Sequence, residues 1–222
     1  MKEYGTFDIL GPIMIGPSSS HTAGAARLGK IAMDIAGNDF NAIEFQLHGS
    51  FAQTYKGHGT DKALVAGILG MEPSDPRIKA SMEIAKAKNI DIKFIEVDLG
   101  YEHPNTVKIV FKYDDKPDYY IIGSSIGGGS IIITNINGNL VEFKGNNPTI
   151  LLTYSDRKGV ISYVSSILAD HNLNIASMKV TREGIVATMI CEIDTEVTQA
   201  TIDKIGTLEG ISYIKFINPI TR

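Results

Sequence analysis

Three consecutive serines and a histidine, Ser18-Ser19-Ser20-His21, stand in the stretch GPSSSHTAG, just where a helical pattern begins. One serine suffices to cap a helix. A helix N-terminus otherwise attracts aspartate or glutamate, because its unpaired N–H groups and dipole favour negative charge. Here no acid appears between Ser18 and Asp34. The anion seat is therefore open to an outside carboxylate or phosphate, with the serines as short hydroxyl donors and Thr22 beside them. The same dipole disfavours protonation of His21, which leaves a neutral imidazole available as base or donor. An over-provided cap accounts for these residues as well.

A second arrangement, GSFAQTYKGHGTDKA, sets His58, Gly59, Thr60 and Asp61 at the start of another helix. Its glycines allow close approach of backbone to a ligand. Asp61 can fill this anion seat itself, and a glycine-rich capped turn reads the same way. His103 and Asn105 flank a proline in YEHPNTV, where an extended residue or a surface turn is expected. In SSIGGGSI, Gly127, Gly128 and Gly129 could cradle an anion through successive N–H groups. The stretch is neither a P-loop nor a dinucleotide fingerprint, because no Gly-Lys-Ser/Thr and no helix follows. A bulged hairpin is the simpler reading. His48 is expected on a strand face and His171 near a helix end, both structural. His21, His58 and His103 offer three metal ligands, yet no H-x-x-x-H pair lies within one element.

The elements that must carry these residues fall into two groups. A turn, a short strand and a linker are read in residues 135–150, rich in Asn and Gly, dividing a domain at 1–146 from one at 147–222. In the first, Ala25, Leu28, Ile31, Ala32 and Ile35 recur at helical spacing up to Gly37. NAIEFQLHGSF alternates as a half-buried strand. TDKALVAGILG and DPRIKASMEIAKAKN read as helices, the latter opened by Asp75–Pro76. DIKFIEVDL, TVKIVFKY, YYIIGSSI and GSIIITNI read as strands, giving an α+β domain. In the second, TILLTY is a buried strand. Val160, Ile161, Val164, Ile167 and Leu168 mark a helix stopped at Asn172. Two strands turn at residues 182–184, VTQATIDKIGTLEG is a helix with Gly210 as its C-cap, and ISYIKFI closes the chain. The order β-α-β-β-α-β is the ferredoxin-like split.

Composition narrows the function. The chain has 222 residues, 43% of them hydrophobic, and a formal net charge of −4. No basic footprint points to nucleic acid or an anionic membrane. No run approaches the roughly 20 apolar residues of a membrane span, and residues 1–12 lack the apolar run of a signal peptide. The single cysteine, Cys191, excludes a disulfide framework and any cysteine-ligated cluster built from this chain alone, and fits a reducing cytoplasm.

The second domain strongly resembles an ACT domain, a small amino-acid-binding module that pairs with itself. SDRKGVISYV and NLNIASMKVTR carry the likeness, and it implies a ligand site at Asp156, Gly159 and Asn174. GPSSSHTAG, GSFAQTYKGHGTDKA, HPN and SSIGGGSI, in that order and ahead of an ACT domain, resemble the beta chains of bacterial iron–sulfur-dependent L-serine dehydratases. The first domain is also similar to the allosteric substrate-binding domain of some phosphoglycerate dehydrogenases. The resemblance implies conversion of L-serine to pyruvate and ammonia. It implies a 4Fe–4S cluster held by three cysteines of a separate alpha subunit, whose open iron acts as Lewis acid on the substrate. Having one cysteine agrees with that division of labour. Ser18, Ser19, Ser20 and His21 then become candidates for carboxylate recognition or proton handling. Thr22, His58, Gly59, Thr60, Asp61, His103 and Asn105 become candidates for substrate contact. Homodimerisation through either domain is expected, because exposed sheet edges are usually paired. Two other readings remain: a non-catalytic serine sensor, and a metal hydrolase built on the three loop histidines.

Overall fold

The computed structural model describes residues 12–220. The stretch on which the signal-peptide expectation rests lies almost wholly outside the described residues. The chain forms two compact units, Asn137 closing the first and Gly138 opening the second. Among the described residues no helix is long and apolar enough to cross a membrane.

The first unit is built on a sheet with strand order β2-β1-β3-β4-β5. Its strands are β1 (Ala42–Leu47), β2 (Asp91–Glu96), β3 (Thr106–Lys112), β4 (Tyr119–Gly127) and β5 (Ser130–Ile136). β1 and β2 run parallel, and the other neighbours antiparallel. Ile43, Phe45 and Leu47 alternate into the core, while Glu44 and Gln46 take the other face. One packed and one polar face is the usual economy of an antiparallel sheet.

The helices cover the apolar face. A π-helical turn, Ser19–Gly24, runs directly into α1 (Ala25–Ala36). The periodic residues of α1, Ala25, Leu28, Ile31, Ala32 and Ile35, are all buried. Between β1 and β2 stand α2 (Gly49–His58), α3 (Thr60–Ile68), a 3₁₀ turn (Pro76–Ala80) and α4 (Ser81–Ala87). Asp75 caps that 3₁₀ turn, accepting from the Arg77 N–H at 2.9 Å.

α2 corrects the sequence reading. NAIEFQLHGSF was expected to stay extended, and the residues after it to form a glycine-rich turn. The strand instead ends at Leu47, and Gly49 onward is helical. Phe51 is fully buried, and burying a phenylalanine is worth about 1.5–3 kcal/mol. That outweighs the roughly 1 kcal/mol helix cost of Gly57.

α1 and α3 cross at backbone contact. A Cβ on Gly67 would lie 2.0 Å from the Ala26 carbonyl oxygen, and one on Gly29 2.3 Å from that of Leu64. No side chain fits between these helices at either point.

The second unit opens with β6 (Asn139–Phe143). It continues as β7 (Thr149–Ser155), α5 (Val160–Asp170), β8 (Ile175–Glu183), β9 (Val186–Ile193), α6 (Gln199–Gly206) and β10 (Ile211–Ile217). The four-stranded order β10-β7-β9-β8 is that of the ferredoxin-like split. Its core gathers Leu152, Val164, Leu168, Met189 and Ile205 from sheet and helices. Two details differ from expectation. α6 ends at Gly206 with Thr207 as its C-cap, and Gly210 serves the turn into β10 with φ of 89°. The β8–β9 turn centres on Gly184 and Ile185, since Glu183 pairs with Val186.

The α1–α3 crossing predicts opposite signs for two glycine substitutions. Gly67→Ala should destabilise the chain by about 1–3 kcal/mol through overpacking. Gly57→Ala, with nothing within 4 Å of its Cβ position, should stabilise it by up to ~1 kcal/mol. Urea denaturation of the two variants decides; a Gly67→Ala chain at least as stable as wild type contradicts the close crossing.

Candidate active site

Ser18 is extended, with φ of −140°, and its side chain accepts from the His21 N–H at 3.3 Å. One of the three serines is thus the cap. Ser19 and Ser20 lie inside or at the start of the π-helical turn, which contains no acid. π-Helical turns are rare and occur frequently at functional sites.

His21 is 8% exposed. Its Nδ1 faces Ser18 Oγ at 3.4 Å. Its Nε2 faces Thr54 Oγ1 at 3.1 Å and Ser50 Oγ at 3.3 Å. Phe51 meets the ring edge-on with centroids 5.2 Å apart, and the His58 ring lies 4.7 Å away. Burial holds the His21 pKa below its usual 6.5, and His58 adds to that against a smaller opposing effect of the Ser50 backbone. A neutral imidazole was expected from the helix dipole; the first cause here is desolvation. Ser50, Thr54 and His58 form a single i, i+4, i+8 stripe along α2. Sequence reasoning missed Ser50 and Thr54 because it read the first as the end of a strand and the second as part of a glycine-rich turn. The stripe was the available signal.

His58 itself is exposed and ends α2, rather than standing at a helix start. Gly59, with φ of 71°, is the one residue between α2 and α3. Asp61 lies in the first turn of α3 and so occupies that anion seat, accepting from the Lys62 N–H. Thr60, which starts α3, is fully buried.

The HPN turn sits on the start of α2. The Phe51 N–H donates to the Pro104 carbonyl, and a Cβ on Gly49 would lie 2.7 Å from that same oxygen. His103 is exposed and accepts from the Asn105 N–H at 3.1 Å. Asn105 in turn accepts from the Ser125 N–H through its carbonyl. Four buried oxygens here have no hydrogen-bond partner: Thr22 Oγ1, Thr60 Oγ1, Asn105 Oδ1 and Ser125 Oγ. Thr22 belongs to the π-helical turn. Ser125 presses against that turn, with its Oγ 2.0 Å from where a Cβ on Gly24 would stand. Buried hydroxyls and amides left unpaired are costly, and a polar ligand would relieve them.

Gly127, Gly128 and Gly129 form the bulged hairpin. Gly127 pairs with Ser130, the register shifts after Ser125, and Gly128 and Gly129 take φ of 59° and 78°. Two positive φ values are the mark of a type I′ turn. Gly129 turns its carbonyl, not its N–H, to a charged partner: Arg27 Nη1 donates to it at 2.6 Å.

The residues expected to bind an ACT ligand do not meet within one chain. Asp156 follows β7 and pairs with Arg182 at 3.0 Å; Gly159 caps α5 near it. Asn174 precedes β8 and bonds Asp194, at the opposite end of the sheet. The seven residues of β7 between those ends span about 20 Å. His48 is the N-cap residue of α2, not a strand residue, and accepts from the Leu99 N–H at 3.1 Å. His171 Nδ1 lies 2.8 Å from the Ile167 carbonyl at the end of α5. Cys191 is buried in β9, and that burial pushes its thiol up to about 11. Among the described residues no three His, Cys, Asp or Glu side chains gather as a metal site.

The family model for the serine dehydratase beta chain matches residues 5–94, and that for the ACT domain residues 149–210. The L-serine dehydratase beta chain of Peptoniphilus asaccharolyticus is 49% identical over 98% of this chain and 99% of its own. The probable L-serine dehydratase beta chain of Bacillus subtilis is 45% identical over 95% of this chain and 96% of its own. The D-3-phosphoglycerate dehydrogenase of Methanocaldococcus jannaschii is 28% identical over 87% of this chain but only 37% of its own. With the π-helical turn, the α2 stripe and the ferredoxin-like unit in place, this end-to-end similarity makes the chain a member of the serine dehydratase beta-chain family, with an ACT domain at its C-terminal side.

Proposed function

We propose that this chain is the beta subunit of an L-serine dehydratase and, with an alpha subunit, converts L-serine to pyruvate and ammonia. The observation that carries this reading is His21: a buried imidazole held neutral beside an acid-free helix start. Serine's carboxylate suits the N–H groups and hydroxyls of that turn. Its α-proton lies one carbon away and needs a base that is unprotonated near neutral pH. Removal of that proton and loss of the β-hydroxyl release one water and leave aminoacrylate. Tautomerisation to the imine and addition of one water then give pyruvate and ammonia. The nearly complete coverage of beta-chain relatives supports this over a serine sensor, whose relatives are matched over 37% of their length.

The residues of this chain do not fit an iron–sulfur cluster. Its one cysteine is buried as a thiol, and no other ligand group gathers among the described residues. In this reading the cluster belongs wholly to the alpha subunit, and departure of the β-hydroxyl is left to that subunit. Ser18, Ser19, Ser20, Thr22 and the unpaired oxygens of Thr60, Asn105 and Ser125 serve recognition of serine. His58 and His103, both exposed, serve the face toward the alpha subunit. β8, one of the two edges of the second sheet, offers a pairing surface for a second copy.

Two measurements test His21. Its imidazole should titrate below 6.5 in the folded chain. The unfolded chain then binds the extra proton, so the fold should lose stability as pH falls through the window below 6.5 and keep it above. Proton NMR of the wild type against His21→Gln locates the midpoint, and one at or above 6.5 overturns the neutral base. In the enzyme assembled anaerobically with its alpha subunit, His21→Ala should lower pyruvate formation from L-serine ~100- to 10,000-fold. Turnover within a few-fold of wild type reduces His21 to part of a cap.

A further inference from the structure

Resting on the reading of His21 as the base, we infer that Thr54 is a positioning residue that fixes the His21 tautomer, so that Nδ1, on the Ser18 side, is the atom that accepts the proton. Thr54 has one hydroxyl proton and two neighbours that bear on it. The Ser50 carbonyl, one turn back in α2, lies 2.7 Å from Thr54 Oγ1; His21 Nε2 lies 3.1 Å from it. A carbonyl oxygen has no proton to give, so the Thr54 hydroxyl donates to Ser50. Its oxygen then faces Nε2 with lone pairs only. That contact is attractive when Nε2 carries the ring proton and repulsive when it does not. The Ser50 hydroxyl, 3.3 Å from Nε2, can turn either way, so the Thr54 lone pairs decide: the neutral imidazole holds its proton on Nε2 and leaves Nδ1 bare.

The other side of the ring agrees. Ser18 Oγ accepts from the His21 backbone N–H at 3.3 Å, which leaves its own hydroxyl proton free to turn toward Nδ1 at 3.4 Å. That bond is long and easily exchanged for a substrate proton. The Nε2 side is closed by α2, with Ser50, Thr54 and Phe51 all against the ring. Nδ1 instead points to the residue that caps the π-helical turn. A carboxylate seated at that turn brings its α-carbon to the bare nitrogen. Base and anion seat thus share one side of the ring, and substrate reaches the proton acceptor from the serine side, not from the α2 side.

The test is nitrogen-15 NMR of histidine-labelled full chain above pH 7, with the His21 signals assigned by their loss in His21→Gln. Wild type should show protonated Nε2 and bare Nδ1. Thr54→Val, of the same shape without the hydroxyl, should shift the signals toward a mixture of tautomers, and Thr54→Ser should restore the wild-type pattern. In the assembled enzyme Thr54→Val should lower kcat by about tenfold or more, within the ~100- to 10,000-fold that the base itself supplies, with KM for L-serine little changed. Thr54→Ser should recover most of it. A wild-type chain with the proton on Nδ1, or a Thr54→Val chain with an unchanged tautomer, overturns the inference. An Nε2-protonated His21 whose alanine variant still turns over serine would leave the tautomer standing and sink the reading of His21 as base.

Discussion

The site depends on α2 lying against the π-helical turn. Without that contact His21 is an exposed residue at a helix start, free to protonate in water. With it, the ring loses solvent on one side, gains Thr54 and Ser50 as fixed partners, and is pushed toward the neutral form. The contact is set by constraints at both ends of α2. Gly49, with φ of 57°, lets the chain leave β1 and pass within van der Waals distance of the HPN turn, where any side chain would strike Pro104. Gly59 reverses the chain in a single residue, so that α3 starts at once and can dock on α1. Between these points, the fully buried Phe51 holds the helix down.

The scaffold beneath is correspondingly stiff. α1 continues the π-helical turn without a break, so its position is that of His21. Its crossing with α3 is fixed by backbone contact at Gly29 and Gly67, which leaves little room to slide. Closely packed interiors transmit small displacements rather than absorbing them. A shift of α3 would carry Gly59 and the end of α2 with it, and so the ring of His58 beside His21. The unpaired oxygens of Thr22, Thr60, Asn105 and Ser125 come from four separate elements around this scaffold. Buried polar groups left unbonded weaken a fold, and in the proposed function these four serve recognition of serine.

Much of this was legible in the sequence, and the failures have a common cause. The helical spacing of Ala25 to Ile35, the alternation in β1 and the split βαββαβ order all reflect burial on one face, which periodicity reports directly. The acid-free serine run pointed to His21 by charge alone. α2 escaped because two glycines at its ends and polar residues within it look like a turn, while the buried Phe51 that decides the matter is a tertiary fact. Ser50 and Thr54 went with it. The hairpin glycines were read first as a bulged hairpin, which the pairing of Gly127 with Ser130 matches; φ above zero permits an anion cradle as well as a type I′ turn. The ACT ligand residues are a different case. Asp156, Gly159 and Asn174 come from a resemblance, and resemblance does not say which end of a sheet a residue occupies.

On the proposed function, this chain holds one half of an elimination. Removing an α-proton needs a neutral base and a fixed seat for the carboxylate; in the proposed function α2 and the π-helical turn supply both from residues that carry no formal charge. Expelling a hydroxide needs an electrophile, and this chain's one cysteine, buried in β9 with its thiol raised to about 11, supplies none. The two requirements conflict in one small volume. Burial already lowers the His21 pKa, and a cationic group packed among the same side chains would lower it further and weaken the base. In the proposed function the base stands on one subunit and the electrophile on another, so that each environment is set separately.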